Sequence, residues 1–377
     1  MIKDIIIKAE KTPSSPLPVE RQLWAWGLNA TGQLGLGIVN NRSSPTQVGV
    51  LTHWSSVSVG HSHTIAMTSS GSIWAWGANA SFARGALGIS NNVNRSSPVQ
   101  IGTETNWSII YAGGNSSFGI KTNGTLWAWG NNTYEQLGTD TNAVSSPVQV
   151  GTQTNWSTIS STYFYGANHT LALKTDGTLW AWGDSGFGQI GDSQPPGGLR
   201  SLPVKIGNDT NWKVVSAGQR YSMAIKTDGT LWGWGENTSL QLGNGTLTNE
   251  SSPVQIGTET NWSKVYSGVS YTMAIKTNNT LWGWGINTNG RIGDGTIINK
   301  TLPVQIGSST DWKDISISLV STLALKTDGT LWAWGSNRNG QLGFSGVNRS
   351  SPVQIGTLNN WRFVSNGGDT AMALKKP

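Results

Sequence analysis

The chain has no cysteine among its 377 residues and only four histidines, His53, His61, His63 and His169. That excludes a disulfide framework and thiolate metal sites, and the histidine spacing does not suit zinc. No apolar run approaches the roughly 20 residues that span a bilayer, so membrane insertion is not expected. The start, MIKDIIIKAEK, holds three consecutive isoleucines and lacks the apolar stretch of a signal peptide. Charged residues make up 12% of the chain, and the net charge of +6 is too thin for nucleic acid to be expected as a partner. Carboxylates are scattered, and Asp192 and Asp294 stand in glycine-rich turns without a clear partner. No GxG pattern joins a strand to a helix as phosphate binding requires, so neither an enzyme nor a cofactor is expected.

What the chain has in excess is tryptophan, 21 copies, and glycine, 49 copies. Fourteen tryptophans belong to seven copies of one stretch: LWAWG at Leu23, Leu126, Leu179 and Leu331, IWAWG at Ile73, and LWGWG at Leu231 and Leu281. The other seven are Trp54, Trp107, Trp156, Trp212, Trp262, Trp312 and Trp361, each nine residues after the proline of an SSPVQIG-like stretch. Residues used identically in every repeat read as scaffold.

Each repeat holds four strand-like pieces: LWAWG, PVQIG, one like WSKVYSG and one like TMAIK. Tryptophans two apart share a strand face. Between TMAIK and the next LWGWG lie Asp-Gly or Asn-Gly turns or close variants of them, a hairpin signal expected to place both central residues at positive φ. Four antiparallel strands repeated seven times describe an all-β, seven-bladed β-propeller. The ends carry further information. The first LWAWG has no TMAIK piece before it, and the chain ends on AMALKKP with no LWAWG after it. The last blade is therefore expected to form by pairing of the N- and C-terminal strands, which closes the ring.

The pattern W-G-x-N-x-x-G-Q-L-G, as in WGLNATGQLG (26–35) and WGSNRNGQLG (334–343), followed by SSPV, resembles the regulator of chromosome condensation (RCC1-like) repeat. SFARGALG (81–88) and SLQLG (239–243) depart from it. The resemblance runs from Leu23 to the end and implies a seven-bladed propeller; it leaves function open, because the fold serves exchange factors, light sensors and binding modules. The family's ultraviolet photoreceptor uses tryptophans in a Gly-Trp-Arg-His-Thr motif. The matching stretches here, such as GHSHT (60–64) and GANHT (166–170), have no tryptophan, so these indoles read as walls. The family's histidine survives only as His63 and His169.

Spacing singles out candidate contact residues. From the third tryptophan to the end of TMAIK the step is 13 residues in six repeats and 17 in the one containing Tyr163, Phe164 and Tyr165. This aromatic trio, with His169, reads as a recognition knob. Strand parity puts it on the same face as the loops between WG and proline. Arg42, Arg95, Arg200, Lys300 and Arg349, three before the proline, join that face, with Glu250 and Val144 breaking the ring. The opposite face is expected to carry solvated lysines before each hairpin, partly neutralised by Asp176, Asp228 and Asp328.

Residues 1–22 stand outside the repeat, and residues 23–377 form the propeller. Ile5, Ile6 and Ile7 read as a strand that attaches to a partner sheet. The primary functional expectation is a non-enzymatic structural or attachment subunit, made in the cytoplasm and built with other protein subunits into a particle such as a virion. One alternative is a module binding a cell-surface receptor or glycan through the Tyr163 face. The other is a regulatory propeller for a small GTPase or chromatin.

Overall fold

The computed structural model describes residues 20–162 and 168–377. The expectations at Ile5, Ile6 and Ile7 and at Tyr163, Phe164 and Tyr165 lie outside the described residues. Among the described residues, twenty-eight strands, β1–β28 in chain order, make seven four-stranded antiparallel sheets. In blade 1 the order from the axis outward is β3 (Trp54–Val59), β4 (His63–Thr68), β5 (Ile73–Gly77) and β6 (Arg95–Gln100). Blades 2 to 6 repeat this over residues 107–149, 156–205, 212–255, 262–305 and 312–354. The outermost strand of each contains the SSPV proline, which an edge tolerates because its missing N–H faces no partner.

Blade 7 is assembled from both ends, in the order β27 (Trp361–Gly367), β28 (Thr370–Lys375), β1 (Gln22–Gly27), β2 (Arg42–Gln47). Leu23 pairs with Leu374 and Trp26 with Ala371. The expected ring closure is present, with two strands from each terminus.

The hairpins differ from expectation in one respect. In the turn at 174–178 only Gly177 has positive φ, +76°. The Gly177 N–H donates to the Lys174 carbonyl, and the Asp176 carboxylate accepts from the N–H and hydroxyl of Thr178. A right-handed turn followed by one left-handed residue needs glycine, or Asn279 in the matching place, only at that last position.

Tryptophan forms the joints. Within each blade the third tryptophan meets both members of the W-x-W pair edge-on, with ring centroids 5.9–6.4 Å apart. The second W-x-W indole is fully buried and donates its Nε1–H to a backbone carbonyl of the preceding blade. All seven such bonds are 2.8–3.0 Å, for example Trp76 to Gln33 and Trp234 to Gln189. The loop that presents the carbonyl is organised by the buried asparagine of the motif. Asn29 accepts from the Leu34 N–H and donates to the carbonyls of Ile38 and Asn40. Gly35, at φ +72°, lets the loop reach the next blade: a Cβ there would stand 2.7 Å from Trp76 Nε1. The acceptor is main chain, so SFARGALG works as well: Ala86 O takes the Trp129 N–H.

Candidate interaction surfaces

The seven innermost strands surround an axial cavity of about 170 Å³. Four residues after each third tryptophan they place a ring of side chains that sequence reading did not single out. Five are serines, and each accepts the backbone N–H of the next blade: Ser58 from Ala112, Ser160 from Ala217, Ser216 from Ser267, Ser316 from Asn366 and Ser365 from Val59, all at 2.8–3.0 Å. The other two are Tyr111, which bonds Ser160, and Tyr266, whose hydroxyl donates to Asp314. The signal was a spacing, obscured because serine is common throughout the chain. Among the described residues no cluster suits a metal ion.

His169 lies inside the wall, 0% exposed. It begins β12 (His169–Lys174), and its Nε2 bonds Ser222 Oγ of the next blade at 2.7 Å. His63 bonds Ser117 in the same way at 2.9 Å. In blades 4 and 5 the position is Tyr221 and Tyr271, whose hydroxyls donate to the next blade's Tyr271 and Ser321 carbonyls. Burial pulls both imidazoles down to about 3, with His61 adding its repulsion at His63. The folded chain therefore holds them neutral, while unfolding lets them take up protons below an ordinary pKa of about 6.5. Stability falls as pH drops through that window. Between pH 6.5 and 5.5 the pair is expected to cost about 2 kcal/mol, read as a lower urea midpoint. The double variant His63→Tyr/His169→Tyr, copying blades 4 and 5, should flatten that slope; an unchanged slope would refute the assignment.

The loops from the third to the outermost strand crown one face. Eight of the thirteen exposed large apolar side chains among the described residues sit there: Ile38, Val39, Phe82, Val93, Leu247, Ile297, Ile298 and Val347. Each loop leans on the start of the next blade's outer strand; Gly37 N–H donates to Ser96 O and Gly295 N–H to Ser350 O. Arg95 thus stands beside the Ile38 loop and Arg349 beside the Ile297 loop. The basic ring is uneven. Arg200 is held by Asp192 at 2.7 Å and Lys300 by Asp294 at 2.8 Å, so both aspartates have the partners that sequence reading failed to find. Arg42, Arg95 and Arg349, on the consecutive blades 7, 1 and 6, have no carboxylate within ion-pair distance among the described residues.

On the opposite face the lysines are not solvated charges. Lys121, Lys226 and Lys276 lie 3.6–3.7 Å above the rings of Trp127, Trp232 and Trp282. Each is buried and paired at 2.7–2.8 Å with Glu104, Asp209 or Glu259 of the linker entering its blade. Asp176, Asp228 and Asp328 are instead occupied by their own turns, where threonine donors hold the carboxyls below the usual range.

The family model described as the regulator of chromosome condensation (RCC1) repeat matches residues 22–67, 123–173, 228–275, 278–325 and 328–374. The chain is 30% identical over 236 residues to the ultraviolet-B receptor UVR8 of Arabidopsis thaliana, covering 60% of this chain and 52% of the receptor. It is 29% identical over 234 residues to the E3 ubiquitin-protein ligase HERC2 of Mus musculus, covering 60% of this chain and 5% of the ligase. It thus spans about half the length of the first and a small part of the second. Prp20p of Saccharomyces cerevisiae, described with its binding properties to Gsp1p and histones, superposes with a TM-score of 0.82 at 20% identity, over 94% of this chain and 91% of that one, which shows the shared fold. These matches overturn the expectation of a virion or particle attachment subunit. The traits behind it, near-identical repeats, no cysteine and a polar neutral surface, belong to the repeat scaffold and carry no information about a particle. On the extent of the repeat matches, the chain belongs to the regulator of chromosome condensation (RCC1) repeat family.

Proposed function

We propose that this chain is a non-catalytic regulatory propeller that grips a protein partner on its loop-crowned face, with small GTPases as the first partner class. The observation that carries this reading is the one-sided surface: among the described residues, most exposed large apolar side chains and the three arginines without a carboxylate partner share that face. Large apolar groups in water mark contact surfaces, and unpaired arginines steer an acidic partner onto them. Prp20p's binding of Gsp1p and histones supports the choice of partner. Between the two, a chain of net charge +6 is better matched to a GTPase than to basic histones.

The test is biolayer interferometry of the full chain against a panel of small GTPases, nucleotide-free, GDP-loaded and GTP-loaded, with core histones alongside. Arg42→Glu/Arg95→Glu and Val39→Asp/Ile297→Asp are expected to weaken binding by about tenfold or more while leaving the melting temperature unchanged. Replacing Tyr163, Phe164 and Tyr165 together by alanine is a third arm, expected to weaken binding as well. Absence of any GTPase complex, or one indifferent to all three variants, would end this reading.

A further inference from the structure

The lysine that ends the second strand of a blade has a fixed setting. It lies on a tryptophan ring, and in three blades a linker carboxylate three residues before the third tryptophan closes over it. Glu104, Asp209 and Glu259 do this for Lys121, Lys226 and Lys276. These carboxylates are half exposed, with side chains 50–55% accessible, so the space they fill opens to solvent.

Blade 3 departs twice at this one spot. The linker residue is Gln153, and no carboxylate of the described residues pairs with Lys174; Lys375 of blade 7, with Leu358 at the linker place, shares that lack but not the second departure. The residue opposite Trp180 on the outer strand is Lys205, where the other six blades have glutamine, as in Trp127 opposite Gln149 and Trp232 opposite Gln255. Lys174 keeps the rest of the setting. Its Nζ lies 3.6 Å above Trp180 and 4.9 Å from Trp156, and the residue is 7% exposed. A negative charge has been removed and a positive one added around a buried ammonium. Burial lowers its pKa, nearby Asp176 works against that, and Lys205 adds to the lowering. A buried cation in such surroundings favours an outside anion, and the sister blades show which anion the geometry takes.

We infer that the Lys174 pocket, with Trp180 as its floor and Lys205 at its rim, is a binding site for an acidic side chain of a protein partner, which takes the place that Glu104, Asp209 and Glu259 hold in the sister blades. The site lies on the hairpin face, away from the loop-crowned face, so it stands or falls independently of the GTPase reading.

The experiment is trace labelling of the full chain with isotopic acetic anhydride, with rates at Lys121, Lys174, Lys226 and Lys276 read by peptide mass spectrometry. An acetylated Glu-Gly-Glu amide peptide is the probe, with acetate and with sodium chloride at matched ionic strength beside it. Without probe, Lys174 is expected to react about fivefold faster than its three sisters, because they are ion-paired. The peptide should slow Lys174 about threefold and leave the others unchanged. Acetate acting as well as the peptide would make the ligand any free carboxylate and overturn the side-chain assignment. Gln153→Glu, which fills the space as the sister blades do, should bring Lys174 to the sister rate and abolish protection. Lys205→Gln should weaken protection. Equal rates at all four lysines, protection by chloride alone, or a Gln153→Glu variant that behaves like the parent would each overturn the inference.

Discussion

A chain cut after Asp369 is expected to lose its cooperative thermal transition altogether. β28 is an interior strand, between β27 and β1. Its Ala371, Met372, Ala373 and Leu374 are all 0% exposed, and it is the strand through which the two ends of the chain meet. Without it, β1 and β27 each present an unpaired edge inside the ring, and the tryptophan cluster of blade 7 faces water. Circular dichroism and differential scanning calorimetry decide the matter. A truncated chain that still melts in one sharp step near the parent temperature would mean the ring does not depend on closure. Cutting only Lys376 and Pro377 is the control, expected to shift little beyond the loss of the two Lys376–Asn360 hydrogen bonds.

Trp234→Ala is expected to destabilise the chain by about 3–5 kcal/mol, the range for emptying a buried aromatic site. Trp234 is 0% exposed, packs edge-on against Trp212, and donates to the Gln189 carbonyl across the blade joint. Trp232, two residues earlier, is only half-buried and serves as a shelf for Lys226, so Trp232→Ala should cost about 1–2 kcal/mol. Trp234→Phe separates volume from the hydrogen bond. The Gln189 carbonyl keeps the Ser222 hydroxyl at 2.8 Å, so losing the indole donor should cost about 1 kcal/mol beyond the change in packing. Urea denaturation of the three variants measures all of this. Equal losses at 232 and 234 would contradict the division of labour between the two rings.

Blade number, strand count and closure were legible because each rests on pattern: two tryptophans on one strand face, a proline at a fixed offset, and terminal motifs that complete each other. The scaffold role of the indoles was legible for the same reason. The site was less so, because it depends on partners distant in sequence. Arg42 and Arg200 occupy the same repeat position, but Asp192, eight residues before Arg200 on an intervening loop, neutralises only the latter. The lysines before the hairpins looked solvated, since their carboxylates arrive from the linker 17 residues upstream, as with Glu104 and Lys121. The asparagine of the motif was assigned no role from the sequence, although it organises a loop that serves the neighbouring blade. In a repeat chain, the sequence of one unit describes that unit well and describes poorly what the unit does for the next.

The seven tryptophan bonds across the blade joints have a consequence for descent. Because each is received by a main-chain carbonyl, with glutamine, alanine or arginine supplying it equally well, a joint does not record which two blades it connects. A gene segment encoding one blade can be copied, shuffled or replaced by its neighbour, and the seams still fit. Such interchangeable parts let unequal recombination keep the repeats nearly uniform while single units drift into specialists, as blade 3 has at Lys174.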